Sequence, residues 1–114
     1  MSATESKRTL MQKFDVGDGT YETLFELAEF APNEVVQRHS HPGIEAGYVL
    51  EGECIFEFDG QPTRTAFKAG ESYQLPADLL HVARAGAVGA KVILVWVVEK
   101  GRAFRNWQIT PPEA

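Results

Sequence analysis

Glycine and proline cut the middle of this chain into pieces too short for ordinary helices. Pro42-Gly43, Gly52, Asp59-Gly60, Gly70, Pro76 and the GAVGA segment at 86–90 recur along it. Both residues weaken helix interiors and suit turns. The pieces between them read as strands. In ECIFEF (53–58), Cys54, Phe56 and Phe58 fall on one face and Glu53 and Glu57 on the other, the period of two that a pleated strand imposes. EAGYVLEG (45–52), TRTAF (63–67), SYQLP (72–76) and LLHVARA (79–85) read as further short strands, with Asp59-Gly60 a hairpin signal and GAVGA a loop. KVILVWVVEK (91–100) is a strand with apolar residues on both faces. YETLFELAEFAPNE (21–34) fits either period, and its company tips it to strand, through the alternation of Tyr21, Thr23, Phe25 and Leu27.

The expectation is an all-β single domain, a sandwich or barrel. Residues 1–20 form an N-terminal arm with one short strand, 21–100 the barrel, and 101–114 an irregular C-terminal tail. A chain of 114 residues buries enough surface to need no disulfide, and its one cysteine, Cys54, cannot form an internal one. The net charge of −5 argues against a nucleic-acid partner, which requires clustered cations. Lys100, Arg102 and Arg105 read instead as a solvated tail. The apolar run Val92–Val98 is too short to span a bilayer, and MSATESKRTLMQKF has no apolar segment of the secretory kind. No membrane partner is expected, and the expected location is cytoplasmic.

The chemistry sits in three histidines. His39 and His41 are separated by one residue, so on a strand their imidazoles share a face and can share one divalent cation. Pro42-Gly43 lets the chain bend so that Glu45 returns to the same spot. A rolled antiparallel sheet can bring His81, which follows the turn at Pro76-Ala77-Asp78, opposite His39. Taken singly, each has a plainer role: a surface histidine pair, a solvated carboxylate, a hydrogen-bonded core histidine.

Taken together they resemble the cupins. The first cupin motif runs Gly, five residues, His-x-His, three or four residues, Glu, six residues, Gly. His39, His41, Glu45 and Gly52 stand at its spacing. The second motif runs Gly, five residues, Pro, x, Gly, two residues, His, three residues, Asn, and is matched by Gly70, Pro76 and His81. Asn33, Asp78 and Ala85 depart from the two patterns, standing for Gly, Gly and Asn. Asn and Asp tolerate a left-handed backbone better than most residues, so the two turns are expected to survive.

The resemblance implies a jelly-roll β-barrel. It implies a divalent transition metal (Fe, Mn, Ni, Co, Cu or Zn) held inside by His39, His41, Glu45 and His81, with coordination sites left for a small-molecule substrate. HPGIEAGYVLEGE looks like the quercetin dioxygenase-like group of small single-domain cupins. That implies dioxygenase chemistry on an enol, diketone or aromatic compound, with Glu45 doubling as catalytic base. Two alternatives stay open: a non-redox lyase or isomerase using the metal as Lewis acid, and a non-catalytic module binding a sugar-like ligand. Cys54, Phe56 and Phe58 are expected to line the interior, with Cys54 a small buried hydrophobe. Such a lining favours an apolar or aromatic ligand over a sugar acid. Tyr48, Tyr73, Gln74, Arg84 and Trp96 are within possible reach of a substrate. The second apolar face of Val92–Val98 needs cover, from the arm or from another subunit, and a homodimer is expected.

Overall fold

The computed structural model describes residues 7–102 and 106–107. Arg105, Pro111-Pro112 and the outer parts of the arm and tail lie outside the described residues. The strands are β1 (Lys7–Val16), β2 (Tyr21–Phe30), β3 (Val35–Ser40), β4 (Gly43–Phe58), β5 (Thr65–Lys68), β6 (Ser72–Leu75), β7 (His81–Glu99) and β8 (Asn106–Trp107). There is no helix among the described residues, and every strand pairing is antiparallel.

The long strands β4 and β7 form a shared spine, paired from Gly43↔Val98 to Phe58↔His81. One half of that spine carries β2 and then β1 on its β7 side, and β6 on its β4 side. The other half carries β3 and then β8 on the β7 side, and β5 on the β4 side. The result is an all-β jelly-roll sandwich, with the core between its halves.

The strand breaks expected at Gly52 and at GAVGA are bends instead. Residues 45–52 and 53–58 belong to one strand, and 86–90 run inside β7. The ladder shifts register between Val49 and Glu51 and again between Gly52 and Cys54. Bulges of this kind turn a strand sharply without ending its pairing. Gly52 has φ 78°, and a Cβ there would collide with the backbone of Gly89. Residues 7–16, read as part of an arm, form a strand laid along β2.

Alternation sorts the side chains as the pleat requires. Val92, Leu94, Trp96 and Val98 are buried on the inner face of β7, with Cys54 and Phe56 of β4. On β2 the inward set is Leu24, Glu26, Ala28 and Phe30, as their ladder partners Trp96, Leu94, Val92 and Ala90 show. The alternating set Tyr21, Thr23, Phe25 and Leu27 is the outer face. An acid on the core side of a strand is the feature that pattern reading passed over.

The two left-handed turns survive their substitutions. Asn33 adopts φ 61° and Asp78 φ 63°. Asn33 N–H donates to the Gly86 carbonyl at 3.0 Å, which fixes the turn against the bend in β7. Asn33→Val is expected to cost about 1–2 kcal/mol, because a β-branched residue is strained at positive φ. Asn33→Gly should cost nothing. Urea denaturation of both variants checks this; equal stability of the Val variant and the wild type would contradict it.

Candidate metal centre

The fold brings all three histidines together. His39, near the end of β3, and His81, the first residue of β7, are ladder partners. His41 follows the end of β3, and its carbonyl accepts the Asp78 N–H at 2.8 Å, which ties it to the turn before His81. The ring centroids lie 4.5 Å apart for His39–His81, 5.0 Å for His41–His81 and 5.1 Å for His39–His41. One nitrogen from each lies within 4.8 Å of the others, and all three residues are buried.

Two of the rings are oriented by the backbone. His39 Nδ1 is 2.6 Å from the Gln37 carbonyl and His81 Nδ1 is 2.8 Å from the Leu79 carbonyl. A carbonyl only accepts, so Nδ1 carries the proton and Nε2 of the neutral ring presents its lone pair. Histidines that bind metals are commonly oriented in this way, by an acceptor behind the ring. The donor set fits a divalent transition ion.

Glu45 is buried at the start of β4, its Oε1 3.5 Å from His41 Nε2. Its Oε2 accepts the Tyr73 hydroxyl at 2.8 Å. Burial, with the Glu45 charge adding to it, pushes the Tyr73 phenol well above its ordinary value, so the hydroxyl keeps its proton. Tyr73 pairs with Gly47 in the ladder, and a Cβ on Gly47 would overlap its ring. Glycine there lets the phenol lie flat across β4 and reach the acid. Tyr73→Phe removes the donor that orients Glu45. Loss of such a partner typically costs about 10–100-fold in metal affinity, which competition with a chelator would measure; unchanged affinity would show that Glu45 is held without it.

Trp96 closes the other side, edge-on to His41 with 4.5 Å between centroids. Its Nε1 donates to Glu26 Oε1 at 3.1 Å. Of the residues within possible reach of a substrate, Tyr73 and Trp96 face the site. Tyr48 and Gln74 are exposed on the outer face, and Arg84 turns outward to Glu57, with Nε donating to Oε2 at 2.7 Å. Cys54 borders the cavity, but burial first, then the charges of Glu45 and Glu53, push its thiol up to about 12. It is a buried hydrophobe there, not a nucleophile. The cavity's inner space is about 30 Å³, enough for an ion and roughly one or two water-sized groups. A larger ligand therefore enters by a small end.

Residues 26–98 match the family model described as a cupin domain. The chain belongs to the cupin family. No curated protein matches it in sequence. Among solved structures this cupin is similar to a cupin superfamily protein from Desulfitobacterium hafniense, with TM-score 0.69 and 19% identity over 87% of this chain and 83% of that one. The DMSP lyase DddQ from Ruegeria pomeroyi is matched with TM-score 0.66 and 19% identity, over 75% of this chain and 43% of that one. An oxalate decarboxylase variant from B. subtilis gives TM-score 0.64 and 18% identity, over 75% and 24%. At these identities the likeness is one of fold. Lyase and decarboxylase cupins are among these neighbours. No helix of the described residues is long and apolar enough to cross a membrane. Lys100 and Arg102 pair with Asp15, Asp78 and Glu99.

Proposed function

We propose that this cupin is a metal-dependent enzyme acting on a small, enolisable carbonyl compound. His39, His41, His81 and Glu45 hold one divalent transition ion. The observation that carries the reading is the Tyr73–Glu45 hydrogen bond beside three converging imidazoles. An oriented carboxylate beside the imidazoles supports a role for Glu45 in taking a proton from carbon. When bound, the ion supplies Lewis-acid stabilisation of a developing enolate oxygen. Glu45 accepts the proton. Tyr73 fixes the orientation of the carboxylate, and the apolar walls of Phe56 and Leu94 exclude water. A redox-active ion extends this to dioxygenase chemistry of the quercetin dioxygenase-like kind. A redox-inert ion leaves a lyase or isomerase.

Two measurements test the reading. Zinc-loaded protein is incubated with acetylacetone in D2O and α-deuteration is followed by NMR; iron-loaded protein is given the same compound in an oxygen electrode. Exchange with oxygen uptake is the dioxygenase outcome, and exchange without uptake the lyase or isomerase outcome. Neither, across a panel of diketones and flavonols, would replace the enzyme with a binding module. The proposal places the protein in the cytoplasm, where the lone thiol Cys54 stays reduced.

A homodimer belongs to the same proposal. The outer face of β1, β2, β7 and β4 exposes Phe14 (54%), Ile44 (49%), Tyr48 (45%) and Tyr21 (45%). Half-buried Phe25, Ile93, Val95 and Val97 lie between them. The central strands put no charge among these side chains, so a second copy of the same face suits it. A concentration-independent monomer in sedimentation would remove the dimer.

A further inference from the structure

Arg8 stands on the inner side of β1, opposite Ala28, whose side chain is fully buried. Its Nη1 donates to Glu26 Oε1 at 2.8 Å, and its guanidinium lies 5.5 Å over the Phe30 ring. It lines the same cavity as His39, Glu45, Tyr73 and His81. Arg84 also borders that cavity, but its side chain is engaged with Glu57 on the other face of β7. Among the described residues, Arg8 is therefore the cation turned toward the centre. The remaining walls, including Phe56, Leu94 and Trp96, are apolar.

We propose that Arg8 anchors a carboxylate, so that the ligand of this centre is a small organic acid with its reacting carbon beside the metal site. The inference rests on the metal-dependent reading above, and it narrows the carbonyl compound to an oxo acid. Charge counting supports it. With neutral imidazoles, a divalent ion and Arg8 bring three positive charges, and Glu45 and Glu26 bring two negative ones. Arg8 and Glu26 already balance each other, so the surplus is one positive charge left in the cavity by the ion over Glu45, and an uncompensated charge there is costly. A monoanion supplies the partner. The guanidinium is also prepared for it. Glu26, itself held by Trp96 Nε1, fixes the head group by accepting from one of its nitrogens. A guanidinium carries five N–H donors in a fork that matches a carboxylate.

The test uses zinc, which is diamagnetic, and two probes of nearly equal shape, propionate and propionamide. Zinc content of the loaded protein is measured first, and both probes are then titrated by NMR. Wild type should bind propionate at least about tenfold more tightly than propionamide. Arg8→Gln should weaken propionate about tenfold and leave propionamide within about twofold, while Arg8→Lys, which keeps the charge and loses the fork, retains only part of the preference. Equal effects on both probes, or none, would show that the ion alone reads the carboxylate and would overturn the anchor. If Arg8→Gln does not fold because Glu26 is stranded, Arg8→Gln with Glu26→Gln keeps a neutral hydrogen-bonded pair and reads the same difference. Protein that takes up no zinc fails at the first step and overturns the metal reading together with the anchor. Zinc-loaded protein without a charge preference overturns the anchor alone.

Discussion

Replacing His41 by alanine should strip the protein of nearly all its metal while leaving the β-sandwich intact. His41 is 1% exposed, faces His39 and His81 at 5.1 and 5.0 Å between centroids, and has its Nε2 3.5 Å from Glu45 Oε1. Loss of a hydrogen-bond partner behind a ligand alone typically costs about 10–100-fold in affinity, and loss of a ligand costs more. At micromolar protein with equimolar metal, occupancy should fall below about a tenth of the wild-type value. The fold should persist because the core is built elsewhere, from Val49, Val92, Leu94 and Trp96 across the β4–β7 spine. Elemental analysis with far-UV circular dichroism reads both halves of the prediction. Cys54→Ala is the control: it borders the cavity but its thiol stays protonated, so metal content should not change. Wild-type metal content in the His41 variant would remove it from the ligand set.

The reach of the sequence differs between the centre and its surroundings for physical reasons. The convergence of His39, His41 and His81, with Glu45 beside His41, was legible because histidine is rare in this chain and the spacing is fixed by two motifs. The turns at Asn33 and Asp78 were legible because so few residues accept positive φ. Cys54, Phe56 and Phe58 were legible because the pleat alternates. The bends at Gly52 and GAVGA were not, because a glycine in a strand pattern marks a stop and a bulge equally well. Which of the two applies depends on Gly52 meeting Gly89, across a ladder that local sequence does not show. Arg8 and Glu26 were missed together. A polar segment before DVGDGT reads as an arm, and an acid within YETLFELAEF reads as the solvent side. Only pairing with β1 and β7 turns Arg8, Glu26 and Trp96 toward one another, where each offsets the burial of the next. A sequence signal did exist in the even positions Leu24, Glu26, Ala28 and Phe30, which form an equally regular alternation with one charged member.

The same trio yields the largest stability effect. Trp96→Ala should cost about 3–5 kcal/mol, the range for emptying a core site of an aromatic side chain. Trp96 is 2% exposed and sits opposite Leu24 on one side and Glu45 on the other. The truncation opens a void between the two halves of the sandwich and withdraws the Nε1–H that Glu26 accepts at 3.1 Å. Trp96→Phe separates these contributions. It keeps most of the volume and the edge toward His41, and loses the donor, so about 1–2 kcal/mol is expected. Domains of this size are stable by only about 5–15 kcal/mol in total, so the alanine variant should unfold at markedly lower urea. The phenylalanine variant should stay close to wild type and retain its metal. If the two variants are destabilised equally, the hydrogen bond to Glu26 outweighs the packing. If alanine costs less than about 1 kcal/mol, Trp96 is not part of the core, and the wall behind His41 is not the rigid surface that the centre requires.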